Sequence, residues 1–221
     1  INVPAKIRVS SIDLKTKIKP IAYVNGAGDY TVQALEKMNF PVTNISVQDL
    51  DKLDAKKFPV LIFGIRALNT NDAILDCKTK LMNYMQSGGR VIMQYNTTAE
   101  LNTPEFAPAP LKISRDRITD ENSPVKINIT SHRIMTFPNV IKTDDFNGWV
   151  QERGLYFPNP YDSTYEEILL MNDPKEKDLK SAILYKKVGK GDFIYTPISW
   201  FRQLPKGIPG AYRIFANLVS K

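Results

Sequence analysis

The feature that most constrains this chain is a regular alternation, between residues 20 and 97, of short apolar runs with stretches of helical periodicity. The helical stretches place their apolar residues on one face, as amphipathic helices do. Short strands alternating with helices favour right-handed crossovers and a parallel sheet. We therefore predict an α/β fold with a mainly parallel sheet flanked by helices, with strands at 20–24, 42–47, 58–63 and 90–95 and helices at 30–39 and 73–86.

The second half of the chain differs from the first in composition and periodicity. Prolines are frequent after residue 97 and helical periodicity fades, although 210–219 again has a helical apolar stripe. No linker rich in Gly, Ser or charge separates the halves, so we predict a β-rich elaboration of one domain at 20–221. Residues 1–19 are predicted to be a linker or an edge strand. The later strands are expected at 125–129, 166–171, 181–187 and 193–197.

The charge distribution bears on possible partners. The net charge is +7, but residues 1–20 contain five Lys or Arg and one Asp, which gives +4 in this segment alone. A nucleic-acid-binding protein should concentrate basic charge on a folded face, so we expect no nucleic-acid partner. The apolar runs are far shorter than the roughly 20 residues a membrane span needs. Because the chain begins with Ile rather than Met, we expect it to be a processed or excised piece.

Cysteine and histidine are each present once, as Cys77 and His132. No disulfide within the chain is possible, and a zinc site of the usual His and Cys type would lack ligands. We expect no metal and no cofactor. Cys77 lies in a predicted helix, which favours a packing role, whereas His132 is either a capping residue in a turn or a general base.

Polar residues follow three of the predicted strands. In an open parallel sheet, ligands bind beyond the carboxyl ends of the strands, so these turns form a candidate binding site. The alternative is that Asn and Gly are common in turns because they tolerate positive φ. The residues concerned are Asn25, Asp29, Arg66, Asn69, Tyr95 and Asn96.

Three later clusters, at 114–122, 148–156 and 199–202, mix arginine and acidic residues with Trp and Tyr. Aromatic faces stack on apolar rings, and forked arginine–carboxylate pairs offer directed hydrogen bonds, so this composition suits a sugar- or carboxylate-binding surface. A salt-bridged loop that holds the elaboration to the sheet is the alternative. The ligand-binding candidates are Arg117, Glu121, Gln151, Glu152 and Arg153, with Trp149 or Trp200 as a stacking face.

Longer motifs carry a resemblance to a known family. The segments 113–125, 148–157 and 209–218, with 26–29, 64–71 and 88–97, together resemble the C-terminal region of large bacterial LmbE/PIG-L deacetylases. That region is similar to the class I glutamine-amidotransferase fold, especially its ThuA-like branch. The resemblance implies a flavodoxin-like, class I glutamine-amidotransferase-like sheet over about residues 20–220.

The resemblance also implies what the chain lacks. In that fold the strand after the Gly-Gly turn leads into the elbow of the nucleophilic cysteine, but here 91–94 leads into Tyr95-Asn96-Thr97. The His-Pro-Asp-Asp type motif of the deacetylase zinc domain does not occur. We therefore expect no catalytic residue in this chain and an N-terminal deacetylase domain as its partner. Since such proteins are often exported, a periplasmic or cell-surface location is expected.

Three functional hypotheses follow. The leading one is a non-catalytic ligand-binding or architectural domain that assists a deacetylase acting on N-acetylated sugars or glycoconjugates. The second is a ThuA-like carbohydrate-active enzyme that uses Glu121, Glu152 or His132 as acid or base; Glu121 and Glu152 would form a glycosidase pair only at a suitable separation. The third is a pure interaction domain, which predicts an exposed apolar patch larger than is normal for a monomer.

Overall fold

The strands of this chain build one large sheet and two small ones. The computed structural model describes residues 9–98 and 106–221. The strands are β1 (Ile21–Val24), β2 (Val42–Asn44), β3 (Val60–Phe63), β4 (Arg90–Gln94), β5 (Leu111–Ile113), β6 (Arg117–Ile118), β7 (Val125–Ile127), β8 (Gly154–Leu155), β9 (Pro158–Tyr161), β10 (Glu166–Met171), β11 (Leu179–Val188) and β12 (Gly191–Thr196).

The large sheet has eight strands in the order β2-β1-β3-β4-β12-β11-β10-β7. The first five in this order run parallel, and β11, β10 and β7 are then added by antiparallel pairing. The predicted α/β fold with a mostly parallel, helix-flanked sheet is therefore confirmed. β12 comes from the second half of the chain and pairs directly with β4, so the elaboration extends the sheet. The small sheets, β5–β9 and β6–β8, are antiparallel.

Helices cover both faces of the sheet. The predicted helix at 73–86 is divided into a 3₁₀ turn and a helix that ends before Gly88-Gly89. The α-helices are α1 (Thr31–Lys37), α2 (Ala67–Thr70), α3 (Lys78–Gln86), α4 (Arg133–Thr136), α5 (Trp200–Gln203) and α6 (Pro209–Val219), and the 3₁₀ helices span Val47–Lys52, Asp72–Cys77 and Thr143–Phe146. No helix in the described part of the chain is both long and apolar enough to cross a membrane.

The central strands are buried on both faces, which explains their continuous apolar runs. In β3, Val60 and Ile62 pack on the side of α1 and α6, whereas Leu61 and Phe63 pack on the side of α3. Side chains that alternate in this way fix the register of the strand, because a slip of one residue would exchange the two cores.

Residues 9–20 form no strand and lie extended against the helical layer. Asn139 accepts a hydrogen bond from the Lys15 amide and donates one to the Lys15 carbonyl, both at 2.9 Å. The Lys17 amide donates to the Ser220 hydroxyl at 3.2 Å, and Ile12 and Leu14 pack on the core. The segment is thus attached to the domain by backbone hydrogen bonds. The remainder of the predicted linker or edge strand, residues 1–8, lies outside the described residues.

Candidate functional site

The turn after β1 is organised by the carboxylate of Asp29. One oxygen accepts hydrogen bonds from the Tyr23 hydroxyl (3.0 Å) and the Thr31 amide (2.8 Å), and the other from the Ile65 amide (3.1 Å) and the Gln94 side-chain amide (3.4 Å). Burial, followed by the nearby Asp29 charge, raises the pKa of Tyr23 well above its usual value. Asp29 therefore joins the ends of three strands to the start of α1, and its hydrogen-bonding capacity is used inside the protein. Asn25, in the same turn, is exposed.

The turn after β3 is a sharp strand-to-helix connection with a left-handed residue. Arg66 has φ 56° and ψ 25°, and α2 begins at the next residue. Its amide donates to the Tyr95 carbonyl at 2.8 Å, and its side chain is exposed. A strained strand-to-helix turn is the geometry of a nucleophile elbow. The elbow was expected after β4, but β4 is followed by irregular backbone over 95–98, and in the described structure Arg66 occupies the left-handed position after β3.

The residues after β4 divide into an aromatic contact and an internal amide network. Tyr95 is 7% exposed, and its ring lies parallel to that of Tyr156 at 6.3 Å and tilted against that of Phe201 at 5.4 Å. Asn96 is fully buried and accepts from the Leu68 amide at 2.9 Å. Asn69 accepts from the Thr97 amide and donates to the Thr97 carbonyl. Asn69 and Asn96 thus hold the neighbouring turns together, while Tyr95 contacts the elaboration.

Tyr95, Tyr156 and Phe201 form an aromatic group, and beside it is an open polar cleft of about 560 Å³. Arg202 donates two hydrogen bonds to one oxygen of Glu152, at 2.8 and 2.6 Å, and another to the side-chain carbonyl of Gln151. Glu121 accepts a hydrogen bond from the Gln151 amide at 2.5 Å. The cleft therefore presents a forked ion pair together with amide and carboxylate groups. Its lining residues are Thr119, Asp120, Glu121, Asn122, Gln151, Glu152 and Arg202.

One wall of the cleft is held by Asp173. Its carboxylate accepts from the Thr119 amide (2.8 Å), the Thr119 hydroxyl (2.7 Å), the Asp120 amide (3.1 Å) and the Ser123 hydroxyl (2.5 Å). Burial acts to raise the pKa of Asp173, but the hydrogen bonds from Ser123, Thr119 and Asp120 outweigh it and lower the pKa below its usual value. The ionised form of Asp173 therefore stabilises the loop that carries Glu121.

Asp173→Asn is expected to lower the free energy of unfolding by about 1–3 kcal/mol, because donors that now face a carboxylate would meet an amide NH₂ group. The same interaction has a pH signature. A lowered folded-state pKa means that its stabilisation is complete above the unfolded pKa and is lost as pH falls through the folded pKa. Urea denaturation between pH 7 and pH 3 measures the difference in free energy of unfolding between wild type and Asp173→Asn. We expect this difference to shrink as the pH falls. An equal difference at all pH values would contradict this role.

The two tryptophans do not form the predicted stacking face. Trp149 is 3% exposed and donates to the Asp145 carbonyl at 2.9 Å, and Trp200 is fully buried and donates to the Thr196 hydroxyl at 3.1 Å. Their rings contact each other at 5.8 Å within the core. The stacking role is therefore corrected: both indoles are packing residues whose N–H groups are satisfied internally.

The two other predicted arginines also lie apart from the cleft. Arg153 is 5% exposed, donates to the Phe146 carbonyl at 3.1 Å and stacks over Trp149 at 5.4 Å. Burial lowers the pKa of Arg153 to about 10, against the opposing influence of Asp120 and Glu121. Arg117 is exposed on β6 and does not line the cleft. Neither arginine is placed to contact a ligand there.

His132 lies at the other end of the sheet. Its Nδ1 accepts a hydrogen bond from the Ile134 amide at 3.1 Å and so caps α4, and its ring meets Tyr185 edge-on at 4.6 Å. Burial lowers the pKa of His132, with smaller influences from Glu166 and from Arg90, the first residue of β4. Because the cleft lies near the carboxyl ends of the strands, His132 and Glu152 cannot act on one substrate as an acid–base pair. In the described residues no group of three or more His, Cys, Asp and Glu is placed to hold a metal ion.

Left-handed backbone is concentrated around the cleft. Five non-glycine residues in the described structure have positive φ, and three of them, Arg66, Gln151 and Tyr156, lie at this end of the molecule. The other two, Asn39 and Lys175, are exposed turn residues elsewhere. Each such position costs free energy that the fold must offset, and such residues cluster at functional sites. This pattern supports the cleft as the functional region.

Of the predicted site residues, the structure places Glu121, Gln151 and Glu152 on the cleft, with Tyr95 packed beside it and the Arg66 amide bound to the Tyr95 carbonyl. It adds three residues that lay in the predicted clusters 148–156 and 199–202 but were not among the named candidates. Arg202 and Phe201 follow β12, and Tyr156 follows β8. The strand at 193–197 was predicted, but its parallel pairing with β4 was not, and this pairing is what places Phe201 and Arg202 near the carboxyl ends of the strands.

Comparisons with solved structures agree with this architecture. A ThuA-like protein from Bacteroides uniformis superposes with a TM-score of 0.57 at 13% identity, covering 98% of this chain and 96% of its own. The chain has a ThuA-like fold. No family model matches the sequence, and no curated protein matches it.

Two further structures show how widely the fold occurs. A GMP synthase protein from Thermoplasma acidophilum aligns with a TM-score of 0.55 at 10% identity, over 91% of this chain and 92% of its own. A β-galactosidase from Bacillus circulans aligns with a TM-score of 0.56 at 13% identity, over 93% of this chain but 31% of its own. At these identities the similarity concerns the fold alone.

Proposed function

We propose that this domain binds a carbohydrate, without catalysis, in the cleft formed by the 119–122 loop, Gln151, Glu152 and Arg202. The observation that carries the proposal is the forked Arg202–Glu152 pair on the wall of the cleft, next to the partly exposed ring of Tyr156. Arg202 also lies over the ring of Phe201 at 4.9 Å, which links the ion pair to the aromatic group. Sugar hydroxyls need directed donors and acceptors, and the apolar faces of sugars pack on aromatic rings.

The chemistry of the cleft favours binding over catalysis. Arg202 donates two hydrogen bonds to one oxygen of Glu152 and a third to Gln151, so the glutamate is held in an ion pair on the wall of the cleft rather than free to reach a substrate. His132 lies at the opposite end of the sheet. The strained elbow after β3 holds Arg66, whose guanidinium is always protonated and is not a nucleophile. These placements argue against the alternative in which glutamate and histidine share one active site.

We further propose that the domain assists a PIG-L/LmbE-type deacetylase acting on N-acetylated sugars. The sequence resemblance over residues 20–220 supports this role. So does the fold's occurrence in carbohydrate enzymes: the β-galactosidase above and an exo-β-1,4-mannosidase from an Opitutaceae bacterium, of which it forms 37%. The pure interaction alternative predicted an extended apolar patch. In the described part of the chain, the exposed large hydrophobic residues are Val9, Ile18 and Val140.

A glycine substitution separates binding from stability. Gln151→Gly removes the side chain that contacts Arg202. Because Gln151 has φ 58°, the glycine also relieves a backbone conformation that costs any non-glycine residue about 1 kcal/mol or more. We expect sugar affinity to fall roughly tenfold or more, with the free energy of unfolding changed by no more than about 1 kcal/mol. Calorimetric titration with amino sugars, their N-acetyl forms and short oligosaccharides, together with urea denaturation, measures both.

Lys175→Gly is the matched control. Lys175 has φ 70° in an exposed turn outside the cleft, so its replacement gives the same backbone relief and should leave affinity unchanged. The proposal fails if wild type binds no sugar of the panel. It also fails if both glycine variants bind as wild type does.

A further inference from the structure

The cleft is lined by more acidic than basic side chains. Asp120, Glu121 and Glu152 contribute three carboxylates, and Arg202 contributes the one guanidinium among the described lining residues. Arg202 is already engaged, because it donates two hydrogen bonds to Glu152, at 2.8 and 2.6 Å. Two negative charges of the lining are therefore left without a cation from the lining. A ligand that complements this cleft carries positive charge.

The loop that carries Asp120 and Glu121 fixes one oxygen of each carboxylate. Asp120 Oδ1 accepts a hydrogen bond from the Asn122 amide at 2.8 Å, and Glu121 Oε2 accepts one from the Gln151 amide at 2.5 Å. The second oxygen of each carboxylate has no hydrogen-bond partner among the described residues, and neither acid forms an ion pair with any of them. Both side chains can therefore accept hydrogen bonds from a ligand.

Two further charged groups lie behind this wall, and their charges offset each other. Arg153 is 5% exposed, donates to the Phe146 carbonyl at 3.1 Å and stacks over Trp149, so its guanidinium is engaged in the core. Asp173 is 9% exposed and accepts hydrogen bonds from the amide and the hydroxyl of Thr119. One group is positive and the other negative, so together they leave the excess negative charge of the lining unchanged.

We propose that the carbohydrate bound in this cleft is an amino sugar whose ammonium group is held by Asp120 and Glu121. The inference rests on the proposed function, because it names the class of sugar for the same site. An ammonium group has N–H donors and no acceptor, so it complements carboxylate oxygens that have no other donor. The forked Arg202–Glu152 pair and Gln151 are then left to bind the hydroxyls of the sugar ring.

An amino sugar gives the domain a place in the proposed deacetylation. Hydrolysis of the N-acetyl amide releases acetate and leaves a sugar amine, which is protonated in mildly acidic solution. The N-acetylated sugar is neutral at the same nitrogen and has a single N–H donor there. The cleft therefore retains the product of the deacetylase in preference to its substrate.

The test compares three sugars that differ only in the substituent on one ring carbon: glucosamine, glucose and N-acetylglucosamine. Each is titrated into the full chain by calorimetry at a mildly acidic pH, where glucosamine is a cation. We expect glucosamine to bind roughly tenfold more tightly than either neutral sugar, and the difference to shrink as salt rises. Glucose is included because it has neither the charge nor the acetyl group. A cleft that merely excludes the acetyl group would bind glucose and glucosamine equally, which would overturn the inference.

The double variant Asp120→Asn/Glu121→Gln removes both charges and keeps side-chain oxygens that can accept from the Asn122 and Gln151 amides. We expect it to bind glucosamine and glucose equally. Glu121→Gln alone changes an exposed side chain, so it keeps the test valid if the double variant folds poorly, and it should lose part of the preference. Glu36→Gln is the control for net charge, because Glu36 is exposed on α1 outside the cleft, and it should retain the full preference.

The outcomes separate this inference from the proposed function. Equal binding of the three sugars by wild type, or tighter binding of the N-acetyl form, would overturn the assignment of an amino sugar and leave carbohydrate binding intact. A preference for glucosamine that survives in the double variant would overturn the role of Asp120 and Glu121. Failure of every sugar to bind would reject the proposed function and this inference together.

Discussion

Replacing Trp200 with alanine is expected to lower the free energy of unfolding by about 3–5 kcal/mol. The side chain is fully buried, meets Trp149 at 5.8 Å and Phe215 at 5.5 Å, and donates to the Thr196 hydroxyl. Its removal leaves a cavity between the sheet and α6, and the Thr196 hydroxyl loses its hydrogen-bond donor. Urea denaturation followed by circular dichroism measures the loss.

Phe201→Ala is the matched comparison for Trp200→Ala. Phe201 is the next residue along the chain, but it is half-buried and packs on Tyr95 at the edge of the cleft. We expect a smaller loss of stability from it and a clear loss of sugar affinity. The opposite result, with Trp200→Ala nearly neutral in stability but unable to bind sugar, would mean that the indole faces the ligand after all.

The elements that were predicted correctly are those whose signal is local. β1, β3 and β4 are continuous apolar runs because both faces of the sheet are covered. β6 and β8 have two residues each and pair Arg117 with Leu155, so neither carries a periodicity of its own. For β12 the apolar run predicted a strand, but only the folded chain shows that it lies beside β4.

The prediction of the site from the sequence was limited in a similar way. The rule that ligands bind beyond strand ends led to Tyr95, whose ring packs on Phe201 beside the cleft, and to Arg66, whose amide binds the Tyr95 carbonyl. It led equally to Asp29 and Asn96, whose polar atoms are used by backbone donors of neighbouring turns. The sequence shows that a polar residue lies at a strand end, but its hydrogen-bond partners come from segments far away in the chain. Burial of Trp149 and Trp200 depends on tertiary packing in the same way.

The ion pair between Arg90 and Asp192 gives the second large effect. These residues are direct neighbours on β4 and β12, with nitrogen–oxygen distances of 2.5 and 3.2 Å, and both side chains are 4% exposed. Arg90 also donates to the Leu218 carbonyl at 2.8 Å, which ties the end of α6 to the sheet. Arg90→Met or Asp192→Leu should each cost about 3–5 kcal/mol, because either change leaves the other group buried without its partner.

The double variant Arg90→Met/Asp192→Leu separates the pair's net contribution from the penalty of an unpaired charge. Two apolar side chains of similar volume remove both desolvation costs, so the double variant should be much more stable than either single variant and within a few kcal/mol of wild type. Urea denaturation of all four proteins gives the coupling energy. Losses that simply add would show that each side chain contributes through packing alone. A large coupling would show that the ion pair itself, beyond the pairing of β4 with β12, helps to hold the second half of the chain on the parallel sheet.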